Sequence, residues 1–126
     1  MVHTDTKHIL IIEDSPELQL LTARLFSSEG YKLSQAYNGQ EALNLLHSMD
    51  KLPSLILLDI MMPVMDGIEF LEEVKKDASL AAIPVVVMSA DANSRANVAR
   101  VRSVPFIQKP IHDIEQLLEV VEGLRK

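Results

Sequence analysis

Three four-residue runs, Ile9 to Ile12, Leu55 to Leu58 and Val85 to Met88, are apolar at every position. A half-exposed strand alternates apolar and polar residues. A strand without alternation is one buried on both faces, which calls for parallel neighbours and for helices above and below the sheet. Between and after these runs, apolar residues recur at helical spacing: Ala42, Leu43 and Leu46; Ile68, Leu71 and Val74; Ile114, Leu117, Leu118, Val121 and Leu124. Tyr31 to Tyr37 and Phe106 to Gln108 read as two further strands.

The junctions carry matching local chemistry. Ser15-Pro16 reads as an N-cap followed by proline at the first helical position, opening a first helix that extends to about Glu29, with Gly30 as its C-cap. Asn38-Gly39 is a turn signal before the second helix. A polar, Arg-rich helix is expected from Ser94 to Arg102. Five strand-helix units with right-handed crossovers predict an α/β fold: a doubly wound five-stranded parallel sheet, order 2-1-3-4-5, with five helices. In that topology ligands bind beyond the carboxyl ends of the strands, where the strand order reverses.

The 126 residues suffice for one such domain. Its 18 acidic and 12 basic residues give a net charge of −6, which argues against nucleic acid or an anionic membrane as partner. Four scattered glycines leave no Gly-rich phosphate loop. With no cysteine and no run long enough to span a membrane, the chain reads as cytoplasmic.

Every central strand ends in a chemically useful residue. Glu13 and Asp14 follow the first, Asp59 the third, Ser89 the fourth and Lys109 the fifth. Three carboxylates in one pocket repel by about 4 kcal/mol per close pair at an effective dielectric near 20, so the cluster needs a compensating cation. Oxygen ligands alone suit a hard divalent ion such as Mg²⁺.

In order and spacing, IIEDSP, LLDIMMPVMDG, VVVMSA and FIQKP resemble the receiver domain of bacterial two-component response regulators, which has a flavodoxin-like fold. The resemblance runs from about Lys7 to Leu124 and implies a single receiver domain over residues 1–126 with no output domain. It further implies that Asp59 is the phosphoacceptor, that Asp14 and the Met61 carbonyl are Mg²⁺ ligands, and that Glu13 holds metal-bound water. Ser89 and Lys109 would contact the phosphoryl oxygens, Phe106 would be the switch aromatic beside Ser89, and Lys109-Pro110 would be a cis peptide. The phosphoryl donor is expected to be a sensor histidine kinase or a histidine phosphotransfer protein, docking on the first helix and the Pro110-Ile111 loop. Leu18, Leu20, Leu21, Ala23, Leu25 and Phe26 give that helix more apolar positions than one core-facing stripe requires.

The chain departs from the family pattern at Arg102 and Ser103, where a Gly-Ala pair is common, and its fourth helix carries Arg95, Arg100 and Arg102 without an acid. That basic surface suggests an interface with a downstream protein target, or a homodimer through the fourth helix, fifth strand and fifth helix. Two other functions fit the residue types. An Asp-nucleophile, Mg²⁺-dependent phosphohydrolase of the haloacid dehalogenase type resembles Asp-x-Asp after the first strand, whereas Met61 follows the candidate nucleophile here. A receiver-like interaction module that is never phosphorylated would not need Glu13, Asp14, Asp59, Ser89 and Lys109 together.

Overall fold

The computed structural model describes residues 3–4, 7–109 and 114–125. Five parallel strands form the main sheet: β2 (His8–Ile12), β3 (Lys32–Ala36), β5 (Leu55–Asp59), β6 (Val85–Ser89) and β7 (Phe106–Gln108). Their spatial order is β3-β2-β5-β6-β7. Numbered within this sheet alone, that is the expected doubly wound order, with the reversal between β2 and β5. A separate parallel pair, β1 (His3–Thr4) with β4 (Lys51–Leu52), was not expected.

Six helices are present among the described residues, one more than the sequence predicted: α1 (Pro16–Ser28), α2 (Gly39–Ser48), α3 (Gly67–Val74), α4 (Ala78–Ala81), α5 (Ser94–Val101) and α6 (Ile114–Arg125). The extra one, α4, is four residues long, too short to show a helical period. It is set instead by Asp77, whose carboxylate accepts from the Ser79 and Leu80 amides. Asn38-Gly39 proves to be a helix start, with the Asn38 side chain accepting from the Glu41 amide.

The unbroken apolar runs are explained by two cores, one on each face of the sheet. Leu10, Ile12, Ile56, Leu58, Val85 and Val87 face Leu46, Phe70, Leu80 and Val98 from the α2 to α5 side. Their chain neighbours Ile9, Ile11, Leu55, Leu57, Val86 and Met88 face Phe26, Leu117 and Val121 of α1 and α6. Successive side chains point to opposite faces, so both faces must be apolar.

The loop from β5 to α3 is held at both ends. Gly67 N–H donates to the Ile60 carbonyl at 2.8 Å, and Gly39 N–H donates to the Met65 carbonyl at 2.9 Å. A Cβ on Gly67 would stand 2.6 Å from the Asp59 carbonyl oxygen and 2.8 Å from Ile60 Cα, so only glycine lets α3 start this close to the end of β5. Asp66 closes the helix start with Glu69 in a reciprocal capping box. Within the loop Val64 has φ 68°, left-handed backbone that a β-branched residue rarely adopts. That conformation costs a non-glycine residue about 1–2 kcal/mol.

Two substitutions test this loop by urea denaturation. Val64→Gly should stabilise the protein by roughly 0.5–1 kcal/mol, the relieved strain exceeding the added entropy of the unfolded chain. Gly67→Ala should destabilise it by about 1–3 kcal/mol through overpacking against the β5 backbone.

Candidate functional site

The strand ends on either side of the reversal carry the site. Glu13 follows β2, and its amide donates to the Ala36 carbonyl at 3.0 Å, prolonging the ladder by one residue. Its side chain is buried, and one carboxylate oxygen accepts from the Ser15 amide at 3.2 Å. Asp14, the next residue, is exposed. Asp59 ends β5, paired with Met88 in register, and is 4% exposed. Carboxylate oxygens of Glu13, Asp14 and Asp59 all lie within 4.8 Å of one another.

Lys109 reaches this cluster from the end of β7. Its Nζ contacts Glu13 Oε1 and stands 3.3 Å from Asp59 Oδ1. Its amide donates to the Ser89 carbonyl at 2.8 Å, tying the ends of β6 and β7 together. The Ser89 side chain is fully buried, and its hydroxyl accepts from the Asp91 amide at 3.1 Å. Met61 lies in the β5–α3 loop with its side chain 61% exposed.

One lysine does not offset the charge of this cluster. Burial pushes the Glu13 carboxyl up from 4.5 to about 7; the Lys109 contact opposes that rise and the nearby Asp59 charge adds to it. Asp59 is also raised, again chiefly by burial, with Lys109 opposing. The donor set is all hard oxygen, and its excess negative charge is what a divalent cation would relieve. Mg²⁺ fits these residues.

Phe106 lies three residues before Lys109. It opens β7 opposite Val87 and packs half-buried against the α2–α5 core. The Arg95 guanidinium lies over its ring, 4.6 Å from the centroid. The basic face expected on this helix is therefore partly committed: Arg102 is half-buried and donates to the Ile83 carbonyl at 2.9 Å. Burial lowers its pKa from the ordinary guanidinium value.

Two features escaped the sequence reading. Gln19 in α1 is buried at 1% exposure; the exposure of Leu20 and Leu21 beside it, 51% and 61%, is what the excess of apolar positions on that helix predicts. The Arg95–Phe106 stack joins residues of two elements and leaves no mark on local spacing. Expectations for Pro110 and Ile111 lie outside the described residues.

A raised carboxyl pKa fixes the sign of the pH response. Between about pH 4.5 and 7 native Glu13 holds a proton that the unfolded chain has released, so stability falls as pH rises through that window. In EDTA, the Tm of wild type should fall relative to that of Glu13→Gln by about 5 °C or more across this range, read by thermal denaturation. A constant difference between the two proteins would contradict the assignment.

The response regulator receiver domain family matches residues 9–122. Protein PilH of Pseudomonas aeruginosa is 32% identical over 119 residues, covering 92% of this chain and 95% of PilH. The probable transcriptional regulator ycf27 of Guillardia theta is 29% identical over 128 residues, but this chain spans only 48% of its length. Among solved structures, response regulator protein TrrA of Thermotoga maritima in complex with Mg²⁺-BeF superposes with a TM-score of 0.82 at 28% identity, over 94% of this chain and 98% of that one. No helix among the described residues is long and apolar enough to cross a membrane. Because the family match runs from the first strand of the main sheet into its last helix, this chain belongs to the response regulator receiver domain family.

Proposed function

We propose that this domain is the phosphoacceptor of a two-component phosphorelay, with Asp59 as the residue phosphorylated. The observation that carries this reading is the convergence of three carboxylates within 4.8 Å, with Lys109 Nζ 3.3 Å from Asp59 Oδ1. An Asp59 carboxylate oxygen attacks the phosphorus of a phosphohistidine on a sensor kinase or phosphotransfer protein. The P–O bond forms as the P–N bond breaks, and the departing imidazole keeps the electron pair and takes a proton from solvent.

Lys109 neutralises charge on the transferring phosphoryl group, which changes its partner from carboxylate to phosphate as the bond forms. Asp14, Asp59 and the Met61 carbonyl would hold Mg²⁺, with Glu13 acting through a bound water. When bound, that ion supplies the second positive charge that the phosphoryl oxygens need. The Ser89 hydroxyl now accepts from the Asp91 amide, which leaves its own proton for a phosphoryl oxygen. A bond made only in the phosphorylated state shifts a two-state equilibrium toward that state. The Lys109–Ser89 backbone bond and the Val87–Phe106 pairing carry such a shift into β7 and the Arg95 stack.

The surface changed in this way, α5, β7 and α6, is the one we assign to a downstream protein target or to a second copy of the chain. The donor protein docks on α1, supported by its exposed Leu20 and Leu21 next to the helix start at the pocket rim.

Incubation with acetyl phosphate and MgCl₂ followed by intact mass spectrometry tests the reading. Wild type should gain about 80 Da, Asp59→Asn should gain nothing, and EDTA should abolish the adduct. Lys109→Ala should slow phosphorylation by about 10²-fold. An adduct retained in Asp59→Asn overturns the assignment of the acceptor.

A further inference from the structure

Gln19 is the only polar residue of α1 buried to 1% exposure, in a helix that turns Leu18, Leu20 and Leu21 outward at 37%, 51% and 61%. Its Nε2 lies 3.1 Å from the Ile11 carbonyl, 3.1 Å from the Glu13 carbonyl and 2.8 Å from the Ala36 carbonyl. These three oxygens border the place where β2 and β3 leave the ladder, the Glu13 amide making the last bond across to Ala36. The Glu13 carbonyl belongs to the peptide that joins Glu13 to Asp14. Fixing that oxygen fixes the plane from which both carboxylates project.

Burying an amide here is costly, because among the described residues Gln19 Oε1 has no hydrogen-bond partner. An apolar side chain would satisfy a helix whose role was packing alone. We propose that Gln19 is a positioning residue for the cation site, holding the Glu13–Asp14 peptide so that the two carboxylates converge with Asp59. The proposal rests on the Mg²⁺ reading given above and adds to it a residue that touches neither the ion nor the phosphoryl group.

Isothermal titration with MgCl₂ at pH 7.5 on wild type, Gln19→Met and Val121→Ala tests it. Methionine keeps length and helix preference but donates nothing, and Val121→Ala opens the core between α6 and the sheet without removing a hydrogen bond to the strand ends. Gln19→Met should bind Mg²⁺ about tenfold more weakly, in the range seen when groups that orient metal ligands are removed. Val121→Ala should lose thermal stability in EDTA yet keep the wild-type affinity. Phosphorylation of Gln19→Met by acetyl phosphate should be slow at limiting Mg²⁺ and recover at saturating Mg²⁺.

In wild type, the Gln19 side-chain amide resonance should shift during an Mg²⁺ titration with the same midpoint as the Asp14 backbone amide, a readout that needs no variant to fold. A Gln19→Met protein with lowered Tm but wild-type affinity, or a Gln19 resonance that stays still while that of Asp14 moves, overturns the proposal and leaves the Mg²⁺ reading intact. A wild type that binds no Mg²⁺ overturns both.

Discussion

Two carboxylates kept out of water at the end of a parallel sheet are what the rest of this molecule is built around. Glu13 and Asp59 are buried to 2% and 4% exposure, where charge is expensive, and the one lysine that touches both does not hold the Glu13 pKa at its ordinary value. Replacing buried charged groups by well-packed apolar residues is often neutral or stabilising. The unbalanced charge of this all-oxygen cluster is what a divalent cation would relieve.

Holding such a cluster needs a stiff frame, and each wall of the pocket is fixed by a different device. The β6–β7 wall is closed by the Lys109 amide on the Ser89 carbonyl. The β5 wall is set by Gly67, which lets α3 start against the β5 backbone, and by the Gly39–Met65 bond that anchors the loop to α2. The β2 wall is held by Gln19. In this last case the polarity of the helix is inverted: the amide goes inward to satisfy strand-end carbonyls and leucines face solvent. A carbonyl oxygen has two lone pairs, and at the end of the ladder a buried polar side chain supplies a donor that an apolar one cannot.

The sheet and its site were legible to different degrees. Strands without alternation, such as Leu55 to Leu58, are visible because burial on both faces removes polar residues from every position. Glu13, Asp59 and Ser89 were legible because each follows directly on such a run, and Lys109 because it follows the short strand Phe106–Gln108, so parallel order sends all four to one end of the sheet. Helix α4 was not, since four residues carry no period and its start depends on a single Asp77 side chain. The paired segments His3–Thr4 and Lys51–Leu52 were invisible for a related reason: two residues cannot show a pattern. Arg102 counted as surface charge in the sequence, yet its guanidinium is drawn to the Ile83 carbonyl by a contact nineteen positions away.

The sequence by itself determined the class of fold, the reversal point and the acids at the strand ends, because these follow from short-range patterning that sheet burial imposes residue by residue. Tertiary structure decided which side chain serves the site and which serves solvent: Gln19 inward with Leu20 and Leu21 outward, Arg95 on Phe106, Lys109 between Glu13 and Asp59. Those choices depend on where unpaired carbonyls, an aromatic face and buried charge come to lie once distant segments meet. Hydrogen bonding and electrostatics act across that space, and spacing along the chain carries no record of it.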